Sequence, residues 1–173
     1  MTPKQLSDLV ANCIGVPAQR ALRVAHRLRD AGMLPKGGPG RAPEFDRTDA
    51  IAVLVAVASG ATLRTVAGRA AALLAATPGG ANVNGAPLTV PRTAEIQLAV
   101  MAKMAADGDQ LEGVTIEIVH GWPEIALVWA DGAIQRFQAA GSIANSQPSQ
   151  RARVAATIPG PAFAEFTKEA SNG

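Results

Sequence analysis

The sequence of 173 residues contains no tyrosine, two tryptophans and four phenylalanines, so aromatic residues make up only 3% of it. Its core must be assembled from Ala, Val, Leu and Ile. A single cysteine, Cys13, excludes a disulfide framework and any Cys-rich zinc site, and fits a reducing compartment. Charged residues are 17% and hydrophobic residues 48%, which excludes both a disordered polyelectrolyte and a fibre. The longest apolar run, Ala50–Ala58, falls far short of the ~20 residues that a membrane span needs. No cationic stretch followed by an apolar segment stands at the N-terminus. The expectation is a soluble, cytoplasmic protein with no membrane partner, of one compact domain or two small ones sharing a core.

Motifs for chemistry are equally scarce. There is no nucleotide-binding glycine loop, no nucleophile elbow and no metal-ligand histidine pair. Cys13 lies on an apolar helical stripe, which reads as a small core residue and not a nucleophile. Asp107, Asp109 and Glu112 could ligate a divalent cation, but their spacing matches no known loop, and a solvated connection is the better reading. Trp122, Trp129 and Phe137 read as bulky core in a chain that has little other. His120, just before Gly121-Trp122-Pro123, reads as a turn residue. A non-enzymatic protein without cofactor or metal is expected.

What is present is an uneven charge. From Ala18 to Arg47 seven cations face three anions, whereas from Thr93 to Gly132 one cation faces seven anions. A chain with one end directed at a polyanion shows this asymmetry.

The element pattern is α+β. Thr2, Pro3 and Gln5 start a first helix with Leu6, Leu9, Val10, Cys13 and Ile14 as its stripe, ended by Gly15. A second helix, about Pro17 to Ala31, carries Ala18, Ala21, Leu22, Ala25 and Leu28 on one side. Arg20, Arg23 and Arg27 lie on the other, with His26 at their edge, and Arg29 falls among the apolar residues, where it must snorkel or pair. The segment Met33 to Arg47 carries a Gly-Pro tip, Gly37 to Gly40, flanked by Lys36 and Arg41, with short arms that predict a small hairpin. Asp46 or Thr48 caps a third, all-apolar and therefore buried helix to Ala58; Thr62 caps a fourth, stopped by Thr77–Gly80. Residues Ala81 to Arg92 read as linker, and a fifth helix from Thr93 to Ala106 takes Ile96, Val100 and Met104 as its stripe. Period-two alternation at Val114–Ile118 and Ile125–Trp129, the Asp131-Gly132 turn and Ala133–Gln138 predict three strands. Gly141–Gln150 reads as a loop, Arg153–Ile158 as a fourth strand, and a short terminal helix carries Phe163 and Phe166. The expected division is a helical winged helix-turn-helix domain over 1–76, a linker over 77–92 and an α+β oligomerisation or partner domain over 93–173, made of a helix and a small antiparallel sheet.

The order of helix, glycine turn, arginine-faced helix, glycine-tipped basic hairpin and capped apolar helix is that of a winged helix-turn-helix. A helix fits the major groove, and forked guanidinium donors at i, i+3 and i+7 reach guanine edges and phosphates. A glycine-rich basic tip brings amides close to a flanking backbone. The bland alternative is an amphipathic helix with a solvated arginine face beside an ordinary loop. The stretches LSDLVANCIGV, RLRDAGMLP and KGGPGRAPEFDRTDAIAVLVA resemble the MerR-type winged-helix module, and also the N-terminal domain of lambdoid phage small terminase subunits. The resemblance covers about the first 58 residues, and the stretch from Gly15 to Gly32 is about one helical turn longer than the MerR pattern. It implies DNA-binding residues Arg20, Arg23, His26 and Arg27 on the groove-facing helix, and Lys36, Gly38 and Arg41 on the wing. The expected function is sequence-selective binding of double-stranded DNA by a homo-oligomer of phage or prophage type. Transcription regulation ranks first and recognition of viral DNA for genome packaging second, with RNA polymerase or a large terminase subunit as the corresponding partner. An interaction protein meeting an acidic protein partner is the alternative from another class.

Overall fold

A computed structural model describes residues 1–38, 40–87, 89–142 and 153–172. Its described residues form six helices and one five-stranded antiparallel sheet: α1 (Pro3–Ile14), α2 (Ala18–Asp30), α3 (Arg47–Ala58), α4 (Val66–Leu74), β1 (Thr77–Pro78), α5 (Ala94–Ala106), β2 (Thr115–Val119), β3 (Glu124–Val128), β4 (Ile134–Gln138), β5 (Ala155–Pro159) and α6 (Gly160–Asn172). The class is α+β. Among these residues no helix is long and apolar enough to cross a membrane.

Local chemistry sets the helix limits. The Gln5 amide N–H donates to Thr2 Oγ1 at 3.3 Å while Thr2 N–H donates to Gln5 Oε1 at 2.7 Å, a reciprocal cap that starts α1. Gly15, left-handed at φ 76°, ends it. Asp46 caps α3: its Oδ1 accepts from the Asp49 N–H at 2.9 Å, and Asp49 Oδ2 accepts from the Asp46 N–H at 3.0 Å. Thr48, the other candidate cap, is the second residue of the helix. Burial pushes the Asp49 carboxyl above the usual carboxylate range.

Ala50 through Ala58 are all buried, so α3 is enclosed on every side. α2, α4, α5 and α6 pack around it. The sheet order is β1-β4-β3-β2-β5, with Ile116, Ile118, Ile125, Leu127, Phe137 and Ile158 joining the same apolar cluster. β1 lies in the stretch expected to be linker and pairs Thr77 with Gln138. The Ala94 N–H donates to the Ala76 carbonyl at 2.8 Å, so α5 starts beside the end of α4. β5 runs straight into α6 at Gly160, where a side chain would strike the Leu111 carbonyl. α6 returns to pack on α1, α3 and α5, and its Phe163 and Phe166 are fully buried. One cluster of buried side chains therefore runs from Leu6 to Ala170.

Three expectations change. Thr62, read as the cap of the fourth helix, lies ahead of it: α4 begins at Val66, and Thr65 stands at its N-cap position without a side-chain cap. Ile96 and Val100, read as the core stripe of α5, are 45% and 47% exposed; the buried face is Ala94, Gln97, Leu98, Met101, Ala102 and Ala105. The helix is apolar on both faces, so periodicity selected the wrong one. In the Met33–Arg47 segment the described residues carry one bridge, Gly38 to Arg41, in place of two paired arms. The expected Gly141–Gln150 loop lies largely outside the described residues, as does Pro39.

Because the Asp46 carboxylate holds the first turn of the enclosed helix, Asp46→Ala is expected to cost about 1 kcal/mol in urea unfolding. Thr48→Ala is expected to change stability by no more than about half that.

Candidate nucleic-acid interface

α1 and α2 are joined by Gly15, Val16 and Pro17, and α2 turns Ala21, Val24, Ala25 and Leu28 into the core. That burial fixes the opposite face outward. Arg23, His26 and Arg27 are exposed on it. Among the described residues no carboxylate pairs with Arg23 or Arg27. Arg29, the misfit, keeps its side chain 30% exposed and lies 3.7 Å from Asp30.

Arg20 is placed differently from the rest of its row. It is half-buried and donates from Nη2 to the Ala61 carbonyl at 3.0 Å, tying the start of α2 to the loop before α4. Leu63 of that loop lines a small cavity with Pro17, Gln19, Arg20 and Arg23. Arg20 thus positions a neighbouring loop, and the arginines of α2 without a carboxylate partner among the described residues and exposed on its outer face are Arg23 and Arg27. Arg64 is exposed on the same loop, which the Arg20–Ala61 hydrogen bond and Leu63 hold beside α2.

The tip follows directly from α2. Met33 N–H donates to the Leu28 carbonyl at 2.9 Å, and Leu34 is buried, so the chain leaves the helix along a fixed path. Lys36, Gly38 and Arg41 are exposed, and the Arg41 N–H closes on the Gly38 carbonyl at 3.0 Å. Gly37 is left-handed at φ 73°, and a Cβ there would lie 2.6 Å from the Arg41 carbonyl, so this turn requires glycine. Phe45 anchors the far arm: it is buried, and its backbone exchanges two 2.8 Å hydrogen bonds with Met1. The structure gathers Lys36, Gly38 and Arg41 into one turn and Arg23, His26 and Arg27 onto one helical face.

The other candidates are absorbed structurally. His120 Nε2 lies 3.0 Å from the Ala58 carbonyl, which can only accept, so that nitrogen carries the proton. The ring links the end of β2 to the end of α3 and lies against Gly60. Arg69, its pKa lowered by burial, donates to the Val119 carbonyl at 3.1 Å. Asp107 pairs with Lys103 at 2.8 Å, and Asp109 accepts from the Leu111 N–H at 2.7 Å. Phe137 is buried, Trp129 packs against the core and Trp122 is half-buried.

Sequence reading did not single out Glu124, whose side chain is 2% exposed in the sheet. It accepts from Arg136 Nη1 at 2.6 Å, Arg153 Nη2 at 2.9 Å and Gln138 Nε2 at 2.8 Å. Arg153 also reaches Glu117 at 3.1 Å. Its partners lie on β4 and just before β5, so no spacing rule collects them.

Cys13 packs against the core, and burial first, then Glu165 and Glu169, push its thiol up to about 11. The reactive thiolate is then on the order of one part in a thousand at pH 8. Alkylation at pH 7.5 is expected to run at least about a hundredfold slower in the folded chain than in urea. Equal rates in the two states would contradict this.

Comparison with protein-family models, with curated proteins and with solved structures returned no match to this chain.

Proposed function

We propose that this chain is a non-enzymatic, sequence-selective binder of double-stranded DNA that acts as a homo-oligomer of phage or prophage type. α1, the Gly15–Pro17 turn and α2 serve as the helix-turn-helix, and the Lys36–Arg41 turn serves as the wing. The single observation that carries the reading is the outward face of α2, where Arg23, His26 and Arg27 stand exposed with neither arginine paired to an acid among the described residues. An exposed guanidinium row held by a buried opposite face presents bidentate donors in a rigid frame, as base-edge recognition requires. Lys36 and Arg41, on a glycine-held turn, supply sequence-independent phosphate contacts.

Transcription regulation is the first role proposed, with RNA polymerase as the further partner. Recognition of viral DNA for packaging, alongside a large terminase subunit, is the second. A dimer on a palindromic site goes with the former and a ring of about eight to twelve subunits with the latter. The resemblance of residues 1–58 to both module types supports the pair.

Selection from a random duplex library, followed by titration at several salt concentrations, tests the reading. Specific binding with an affinity that falls steeply as salt rises is expected, because each phosphate contact releases a counterion. Binding to an acidic protein with no duplex affinity at low salt would replace this reading with that of an interaction protein. The Arg23→Ala/Arg27→Ala double variant is expected to lose selectivity while its circular dichroism stays that of the parent. Unchanged duplex affinity would remove α2 from the interface. The Lys36→Glu/Arg41→Glu variant is expected to weaken all duplexes alike and to lower the salt slope by roughly one per lost contact.

A further inference from the structure

α5 is apolar nearly all round, yet only one of its faces is covered. Leu98, Met101, Ala102 and Ala105 pack inward, while Ile96, Ala99 and Val100 point out. A helix of this composition belongs in an interior, and a large aliphatic pair at i, i+4 left in water is costly. The outward stripe is also ordered along its length. Ile96, Ala99 and Val100 occupy its middle, and Lys103 and Asp107, paired with each other at 2.8 Å, close it, all exposed. At 100° per residue these five positions fall within about a third of the helix circumference.

We infer that this face is covered by a second copy of the same helix, packed antiparallel about a two-fold axis between Ala99 and Val100. The inference rests on the homo-oligomer part of the function proposed above and assigns its surface. In that arrangement Glu95, in the first turn of one copy, stands diagonally opposite Lys103, in the last turn of the other. The acid of each N-terminal half thereby meets the base of the other copy's C-terminal half, twice over by symmetry. A parallel arrangement would set Glu95 beside Glu95 and Lys103 against Lys103. Ala99, small and central, lets the two backbones approach. Ile96 of each copy covers the aliphatic stem of Lys103 of the other. The pairing is isologous and closes at two chains. One helix pair covers less than the ~800 Å² per partner of a standard interface, so a dimer dependent on concentration in the micromolar range follows.

Sedimentation equilibrium of the full chain without DNA tests this. The parent is expected to pass from monomer to dimer with rising concentration, and Ile96→Glu/Val100→Glu to weaken the dimer at least about a hundredfold, since each Glu would be desolvated in the seam without a partner. Both positions are exposed in the monomer, so its circular dichroism and melting are expected to match the parent. Glu95→Lys alone is expected to weaken the dimer, and Glu95→Lys/Lys103→Glu to restore it. As an independent measurement, Ala99→Cys in a Cys13→Ser background is expected to oxidise to a covalent dimer, whereas Gln110→Cys is not. A monomeric parent at high concentration, an unchanged dimer in the double glutamate variant, or a ladder of larger cross-linked species would each overturn the proposal. DNA is measured separately on the same variants. Loss of duplex binding by every protein, the parent included, would sink the DNA reading and leave the pairing standing.

Discussion

A helix with no polar side has to be surrounded, and α3 is such a helix: from Ala50 to Ala58 every residue is buried. Its neighbours are α2, α4, α5 and α6, drawn from the whole length of the chain. Such a requirement cannot be met by local structure, because each neighbour must bring an apolar face from elsewhere. The C-terminal helix supplies the largest side chains, Phe163 and Phe166, to a core otherwise built of small aliphatics. Small side chains allow close helix approach but bury little area each, so many elements must converge to exclude water. The Asp46 cap then fixes where this central helix begins, and the His120 link to the Ala58 carbonyl ties its end to the sheet.

The sheet solves a different problem. Glu124 is desolvated on its outer side and would be costly alone, but two guanidinium groups and one amide take its oxygens. Those partners come from β4 and from the approach to β5, so one carboxylate ties β3 to its neighbour β4 and, across β2, to the segment leading into β5. Acidic residues concentrated in this half are thus partly consumed in holding the sheet, as with Glu117 and Glu124, or in closing turns, as with Asp107 and Asp109. Among the described residues Arg23 and Arg27 of α2 have no such carboxylate partner, whereas Arg20 holds the Ala61 carbonyl and Arg29 lies 3.7 Å from Asp30.

Elements set by local chemistry were legible from the residues. The Thr2 cap and Gly15 bound α1 as expected, the α3 run is buried, and the period-two segments are strands. What failed did so where one dimension is insufficient. In α5 nearly every position is apolar, so no period distinguishes the covered face from the open one, and the buried side is decided by which neighbour arrives. The Met33–Arg47 arms read as paired strands, but Leu34 and Phe45 are drawn into the helical core and Pro43 is buried with them, which leaves one bridge at the tip. Arg20 reads as identical to Arg23 in spacing and differs only through the Ala61 carbonyl, forty-one residues away. The Glu124 cluster was invisible for the same reason.

The proposed reading face and the proposed pairing face sit on α2 and α5, and both helices pack directly on α3. That shared neighbour has mechanical consequences. α3 is buried along its length and cannot slide without opening the core, so α2 and α5 keep a fixed mutual orientation within each chain. Two copies joined through α5 would therefore hold their two α2 faces at one separation and one angle, set by packing and not by a flexible tether. Selectivity in such a pair resides as much in the spacing of the half-sites as in the contacts each arginine makes. Filling or emptying space around α3, for instance at Leu54, would alter that spacing without touching either surface.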